Sequence, residues 1–503
     1  MKRRLTAWLS SLLLASACSG ERVAPVPSRD GVAKPLGLFS RALEVGAKER
    51  ALAALERDAR RREARFREVT EPGYSFRVTR VPQREIDWGL WSPGELFELG
   101  AQLFHQRFRK EDGFGAADLP ALGRFQRGER GGPDAYQCAD CHRRGGPAGG
   151  GDFSDNAYIL GDGDRPATAL ERNPRALVGA GLIELVGREI SSELAGQRDA
   201  LIASAKAARA PRRSELTSKG ISFGFLTARL DGTLDTSEVS GIDADLLVRP
   251  FGWKGRAATI RELVESELAT HHGMQSEHFV ATASEAMKGS GPTEDPDGDG
   301  VIAEITEGQV SALTAYLAMQ EVPTIEPPLY LQEWGKPNIH FQPLWNEGVV
   351  LFRELGCATC HVPELELSST VFTLPARSGK ATLRVDLAAE GAEPRIKPEA
   401  DGRVVLRAFT DLKRHDLGEF VADAFSERGR RPSEFVTPPL WGLARSRPYL
   451  HDGRAPTLED AIMMHRGEAE ASSSAYFALP EDGRAAVRVF LTSLTRARRF
   501  AVP

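Results

Sequence analysis

The sequence predicts a mainly α protein of two domains in tandem, with long loops. Three observations lead there. Apolar residues recur at helical spacing along the 503 residues, while strand-like alternation is scarce. The pattern G-x-x-L-F occurs twice, as Gly100-Ala101-Gln102-Leu103-Phe104 and as Gly348-Val349-Val350-Leu351-Phe352. Each copy precedes a C-x-x-C-H motif. A repeated amphipathic helix leading to a repeated motif reads as a duplicated unit. The competing reading is chance similarity between two amphipathic helices.

The bulk properties narrow the class. The length suffices for two or three domains. A net charge of −5 with 41% hydrophobic residues suggests neither a nucleic-acid footprint nor a disordered chain. Beyond the N-terminus no apolar run is long enough for a transmembrane helix.

Residues 1–18 read as a secretory signal. Lys2, Arg3 and Arg4 form its basic end, Leu5 to Leu14 its apolar stretch, and Ala15, Ser16 and Ala17 its small-residue site. Cys18 follows at once, and two readings share that bond. A lipoprotein signal makes Cys18 the lipidated first residue, anchoring the chain in the periplasm. An ordinary A-x-A site leaves Cys18 as a thiol. Lipidation is the expected outcome, because a lone exposed thiol is a liability in an oxidising compartment, although Leu14 stands one position earlier than usual.

Residues 19–84 then read as a linker and a spacer helix. The linker runs to about residue 40. Leu52, Leu55, Ala59 and Phe66 share one face of the helix over 41–69. The first domain is expected over 85–325, the linker at Glu326-Pro327-Pro328, and the second domain over 338–503.

Cysteine usage defines the chemistry. Apart from Cys18, all cysteines fall in Cys138-Ala139-Asp140-Cys141-His142 and Cys357-Ala358-Thr359-Cys360-His361. Two thiols about one helical turn apart reach the two vinyl groups of a haem, and the following histidine lies beneath the iron. A redox dithiol, a zinc knuckle or disulfides are the alternatives for one isolated motif. Two motifs that use every remaining cysteine point to two covalent haem c groups, hence to cytochrome c-like domains. The glycines of 145–151 let the chain turn tightly after His142.

Asp295-Pro296-Asp297-Gly298-Asp299-Gly300 matches the start of an EF-hand-type loop. Asp295, Asp297 and Asp299 would be ligands to Ca2+. Position twelve is Thr306 instead of glutamate, with Glu304 and Glu307 as substitutes. A solvated acidic turn before a helix at Glu307 is the alternative.

Three stretches carry a family resemblance: Arg249-Pro250-Phe251-Gly252-Trp253-Lys254; Thr410-Asp411-Leu412-Lys413-Arg414-His415-Asp416-Leu417-Gly418; and Pro438 to Leu443 followed by Tyr449-Leu450-His451-Asp452-Gly453-Arg454. Together they resemble the di-haem oxidoreductases, a family related to bacterial di-haem cytochrome c peroxidases and to the enzyme that matures methylamine dehydrogenase. The resemblance covers roughly 95–500. It implies a sixth ligand to the C-terminal haem 14 positions after His451, which is His465. Met463 and Met464 are the alternatives after a small shift. Two imidazoles, His361 and His465, would give a low-spin iron of lowered potential. Trp253 matches the tryptophan between the two haems. The acid–base glutamate of the peroxidases, 20 positions after that tryptophan, is replaced by Gly273. His271 and His272 stand nearby, either as acid–base groups or as ligands, with Glu265 and Glu267 in the same segment.

The expected activity is therefore peroxidase-like. Electrons from a redox donor protein or small donor would enter at the C-terminal haem, pass Trp253, and reach hydrogen peroxide at the N-terminal haem. A carrier without substrate chemistry and a di-haem oxidase or oxygenase are the alternatives.

Overall fold

Four of the described helices start at a short polar side chain with a reciprocating partner three residues on. The computed structural model describes residues 80–109, 112–113, 135–160, 166–286, 301–333, 336–375 and 381–496. The signal, the linker and spacer helix over 19–79, and Asp295, Asp297 and Asp299 lie outside the described residues. Helix α1 spans Gln83–Asp87 and α2 Pro93–Phe104. At α2, Ser92 accepts from the Glu95 amide while Glu95 caps Ser92, and Pro93 presets the first turn. The same box opens α5 (Ile260–Glu267) at Thr259, α7 (Glu307–Ala318) at Thr306 and α9 (Leu458–Met464) at Thr457. Such a cap contributes about 1 kcal/mol. The intervening helices are α3 (Cys138–Cys141), α4 (Ala180–Ala208), α6 (Glu277–Ala286) and α8 (Phe341–Glu354). Helices α10 (Glu470–Ala478) and α11 (Glu481–Ser493) close the chain.

Two helix pairs form the frame. Helix α2 packs on α7, and α8 on α11. At each crossing a glycine removes the obstacle. A Cβ on Gly100 would collide with the Ala312 carbonyl, and one on Gly348 with the Ala486 carbonyl. Helix α7 is buried on every side. Its polar positions are satisfied inside the core, as where Arg261 donates to Glu307 (3.0 Å) and to Ser311 (3.0 Å).

The mainly α expectation does not hold. Helix accounts for 39% and strand for 17%, so the fold is mixed α/β with many small sheets. Most sheets are two-stranded antiparallel ribbons. Strands of two or three residues, such as Leu365–Leu367 paired with Val404–Leu406, are too short to carry a readable alternation. One hairpin is longer, pairing Arg212–Ser218 with Ile221–Ala228. Ile221 and Phe223 are buried while Ser222 between them is exposed, and the turn is Lys219-Gly220, both at positive φ. Residues 57–503 group as one compact unit that carries both C-x-x-C-H motifs. Among the described residues no helix is long and apolar enough to cross a membrane.

Candidate functional site

The first motif begins at Gln137, which is extended, and its two cysteines form the single turn α3. His142 ends that turn. Its Nδ1 lies 3.1 Å from the Gly149 carbonyl and 3.1 Å from the Arg175 carbonyl. The glycine loop makes this contact: a side chain at Gly149 would meet the Arg144 carbonyl, so the tight turn expected after His142 is present. Phe104, from the end of α2, faces His142 at 6.3 Å between ring centres.

The second motif follows α8 directly, through Gly356 at φ 82°. His361 Nδ1 donates to the Phe409 carbonyl at 3.0 Å, and Phe352 faces the ring at 6.5 Å. His465 leaves the end of α9 with Nδ1 2.6 Å from the Ala461 carbonyl. A carbonyl oxygen only accepts, so in all three histidines Nδ1 carries the proton and Nε2 keeps its lone pair. Burial lowers each pKa, for His361 to about 4, which keeps the imidazoles neutral. A neutral imidazole fixed through Nδ1 is the form that binds a metal.

Both motifs open on one cavity of about 910 Å³. His142, His361, His465, Trp253, His271 and His272 all line it, so the structure brings the candidate redox residues together. Met463 is 44% exposed, and neither it nor Met464 lines the cavity. The four cysteines of the motifs are unbridged. Burial pushes the Cys138 thiol up to about 12 and the Cys357 thiol up to about 11. A redox dithiol needs a stabilised thiolate, so that alternative fits poorly.

Helix α5 leads into the cavity wall and relaxes into one π turn, Leu268–His272, closed by Gly273 at φ 65°. Gly273 thus ends the segment and offers no acid–base group. His271 Nε2 lies 2.7 Å from Glu267 Oε2. His272 is buried, with Nδ1 2.7 Å from the Ala135 carbonyl and Nε2 3.7 Å from Cys138 Sγ. Glu265 turns toward Arg261, whereas Glu267 lines the cavity. Burial raises the Glu267 pKa, but the Arg256 guanidinium and His271 outweigh it and hold it at about 2.

Trp253 Nε1 donates to the Asn173 carbonyl at 2.9 Å. The Arg175 guanidinium lies 5.3 Å over its ring. No described carboxylate pairs with Arg175; it donates only to the Pro250 and Gly252 carbonyls, and burial lowers its pKa to about 10. Such a cation facing a cavity suits an anionic group, for instance a haem carboxylate.

Several functional neighbours escaped the sequence reading. His415 stands between Asp411 Oδ2 and Glu468 Oε2, each at 2.8 Å, beside Cys360. Burial disfavours its charge, but Asp411 and the neighbouring Cys360 outweigh it and raise the pKa to about 11. Asp423 gathers Arg172 (2.7 Å), Lys254 (3.1 Å) and His451 (3.1 Å). Burial raises its pKa, but those partners together hold it well below the usual carboxylate range. Asp411 and His415 belong to a stretch already noted for its resemblance, but its charges suggested a surface turn. Asp423 carried no signal, because its partners come from distant parts of the chain.

Paired thiols beside lone-pair imidazoles, in one cavity with an uncompensated cation, fit haem groups. The fold and the site define a haem-dependent oxidoreductase. Residues 344–494 match the model of the family described as di-haem oxidoreductase, putative peroxidase. Among solved structures the chain is similar to hydrazine synthase of Kuenenia stuttgartiensis, at 15% identity, covering 84% of this chain and 97% of that one, TM-score 0.35. It is similar to a MauG-like protein associated with microbial copper homeostasis, at 15% identity, covering 85% and 95%, TM-score 0.33. A third is the di-haem peroxidase BthA of Burkholderia thailandensis, at 14% identity, covering 83% and 90%, TM-score 0.34. No curated protein matches the chain.

Proposed function

We propose that the chain is a di-haem c-type oxidoreductase with peroxidase-like activity, taking electrons at its C-terminal centre and using them at its N-terminal one. The observation that carries this is the shared cavity, in which the imidazoles of both motifs keep Nε2 free while carbonyls hold Nδ1. Cys138 and Cys141 would hold one haem c covalently and Cys357 and Cys360 the other, with His142 and His361 offering Nε2 to the irons. Bound haem would supply one-electron chemistry and the reduction of peroxide. His465 would be a second imidazole to hold the C-terminal haem. Trp253, anchored on Asn173, overlaid by Arg175 and lining the same cavity, is the electron relay.

At the N-terminal centre His271 holds and moves protons through its bond to Glu267. His272 packs against Cys138, at the attached edge. Residues 1–18 export the chain to the periplasm, and lipid at Cys18 anchors it there. That agrees with haem attachment outside the cytoplasm. The acidic loop at Asp295, Asp297 and Asp299 is the candidate Ca2+ site.

Electron paramagnetic resonance of the oxidised protein tests the reading. One high-spin and one low-spin ferric haem, with peroxide turnover after one-electron reduction, is the expected result. Two low-spin haems that persist after reduction, without turnover, favour a simple carrier. Oxygen uptake with an organic substrate would favour an oxidase.

A further inference from the structure

The segment that enters the N-terminal centre recurs 198 positions later, where it enters the C-terminal one. Pro250 aligns with Pro448, Phe251 with Tyr449, Gly255 with Gly453, Arg256 with Arg454, Ala257 with Ala455 and Thr259 with Thr457. The backbone repeats as well. Phe251 bridges to Ala257, and Tyr449 bridges to Ala455. Thr259 caps its helix with Glu262 reciprocating, and Thr457 does so with Asp460, again 198 positions apart. Both helices then run into the cavity wall. In the C-terminal copy the residue that emerges there is His465; its counterpart at the same offset is Glu267.

We propose that Glu267 is the iron-facing side chain of the N-terminal centre, occupying the place that His465 occupies in the C-terminal one. This rests on the di-haem reading above. Three observations support it besides the repeat. Glu267 lines the cavity that holds His142. Its side chain keeps 34% of its surface open, although it lies at a depth where His142 and Cys138 feel its charge. His271 at 2.7 Å and Arg256 at 3.5 Å fix its orientation. The residue is not the one at the peroxidase spacing after Trp253, which is Gly273.

A carboxylate in place of an imidazole changes what the centre can do. Glu267 takes a proton from one peroxide oxygen and returns it to the other as the O–O bond breaks. Two electrons from the redox donor and two protons complete the conversion of peroxide to two waters. His271 reloads Glu267 through its Nε2.

The test is a pair of variants with covalent haem counted in each. Glu267→His should give the N-terminal centre two imidazoles, so the high-spin resonance disappears and a second low-spin species takes its place. Glu267→Gln should keep the high-spin resonance and lose turnover with peroxide by about a hundredfold or more. A Glu267→His protein with two haems and an unchanged spectrum overturns the inference. Should that variant fail to load haem, Glu267→Gln with unreduced turnover overturns it instead. The di-haem reading fails separately, in the unmodified protein, if two haems or the high-spin species are missing.

Discussion

At Gly100 and again at Gly348 the chain makes the same construction. A glycine lets two helices touch, a phenylalanine four residues later is buried beneath the imidazole of a C-x-x-C-H motif, and an aromatic ring of the partner helix backs it. Phe104 lies 5.2 Å from Tyr316 in the first copy, and Phe352 lies 5.1 Å from Phe490 in the second. His142 and His361 are held alike, through Nδ1 on carbonyl oxygens. The copies differ in what surrounds that frame. The N-terminal cavity wall presents a carboxylate backed by a histidine and an arginine. The C-terminal wall presents an imidazole, with an imidazolium between two carboxylates beside the second cysteine of its motif. One frame therefore carries two different walls, because it fixes the motif histidine while the entering helix sets other residues of the cavity wall.

The most drastic way to separate the copies is to remove one attachment. Replacing Cys357 and Cys360 by Ala should halve the covalent haem per chain, as should replacing Cys138 and Cys141, measured by the alkaline pyridine spectrum. A variant that keeps two would break the comparison.

Asp423 joins Lys254 of the first repeated segment to His451 of the second. Asp423→Asn removes the anion from a buried cluster and should cost about 4 kcal/mol, read by chemical denaturation. The folded carboxyl is held below its ordinary pKa, so its contribution is present above about pH 4 and is lost as pH falls through the folded value. A variant whose acid sensitivity equals the parent's would contradict this.

His415 has no counterpart described at the N-terminal centre. Asp411, together with Cys360, raises its folded pKa above the ordinary 6.5 or so. The stability it contributes is complete below about pH 6.5 and falls as pH rises through the raised folded value. His415→Gln should cost about 2 kcal/mol at neutral pH and flatten the alkaline decline of Tm, since buried Asp411 loses a charged partner. An unchanged alkaline slope would remove His415 from the account.

The smallest expected effects test the shared frame. Gly100→Ala and Gly348→Ala each push a methyl group into a facing carbonyl and should cost about 1–2 kcal/mol. Near-equal losses sharpen the likeness between the copies; a loss at only one would weaken it.

The sequence determined what local spacing can determine. C-x-x-C-H locates its cysteines and histidine within one turn, so Cys138 to His142 and Cys357 to His361 were legible without a structure. The G-x-x-L-F repeat was legible for the same reason, whereas His465 was singled out only by the family resemblance, 14 positions after His451. The mixed fold was not legible, because ribbons of two or three residues leave no period in the chain. Asp423 and Arg175 were illegible because their meaning depends on what faces them: three partners from remote segments in one case, no described carboxylate in the other. Glu267 stands between these limits. The sequence carried its alignment with His465, but a glutamate in a helix is usually a solvated one. Only the tertiary structure set its carboxylate against Arg256 and His271 on the wall of the cavity, where burial makes an ionised group depend on its neighbours.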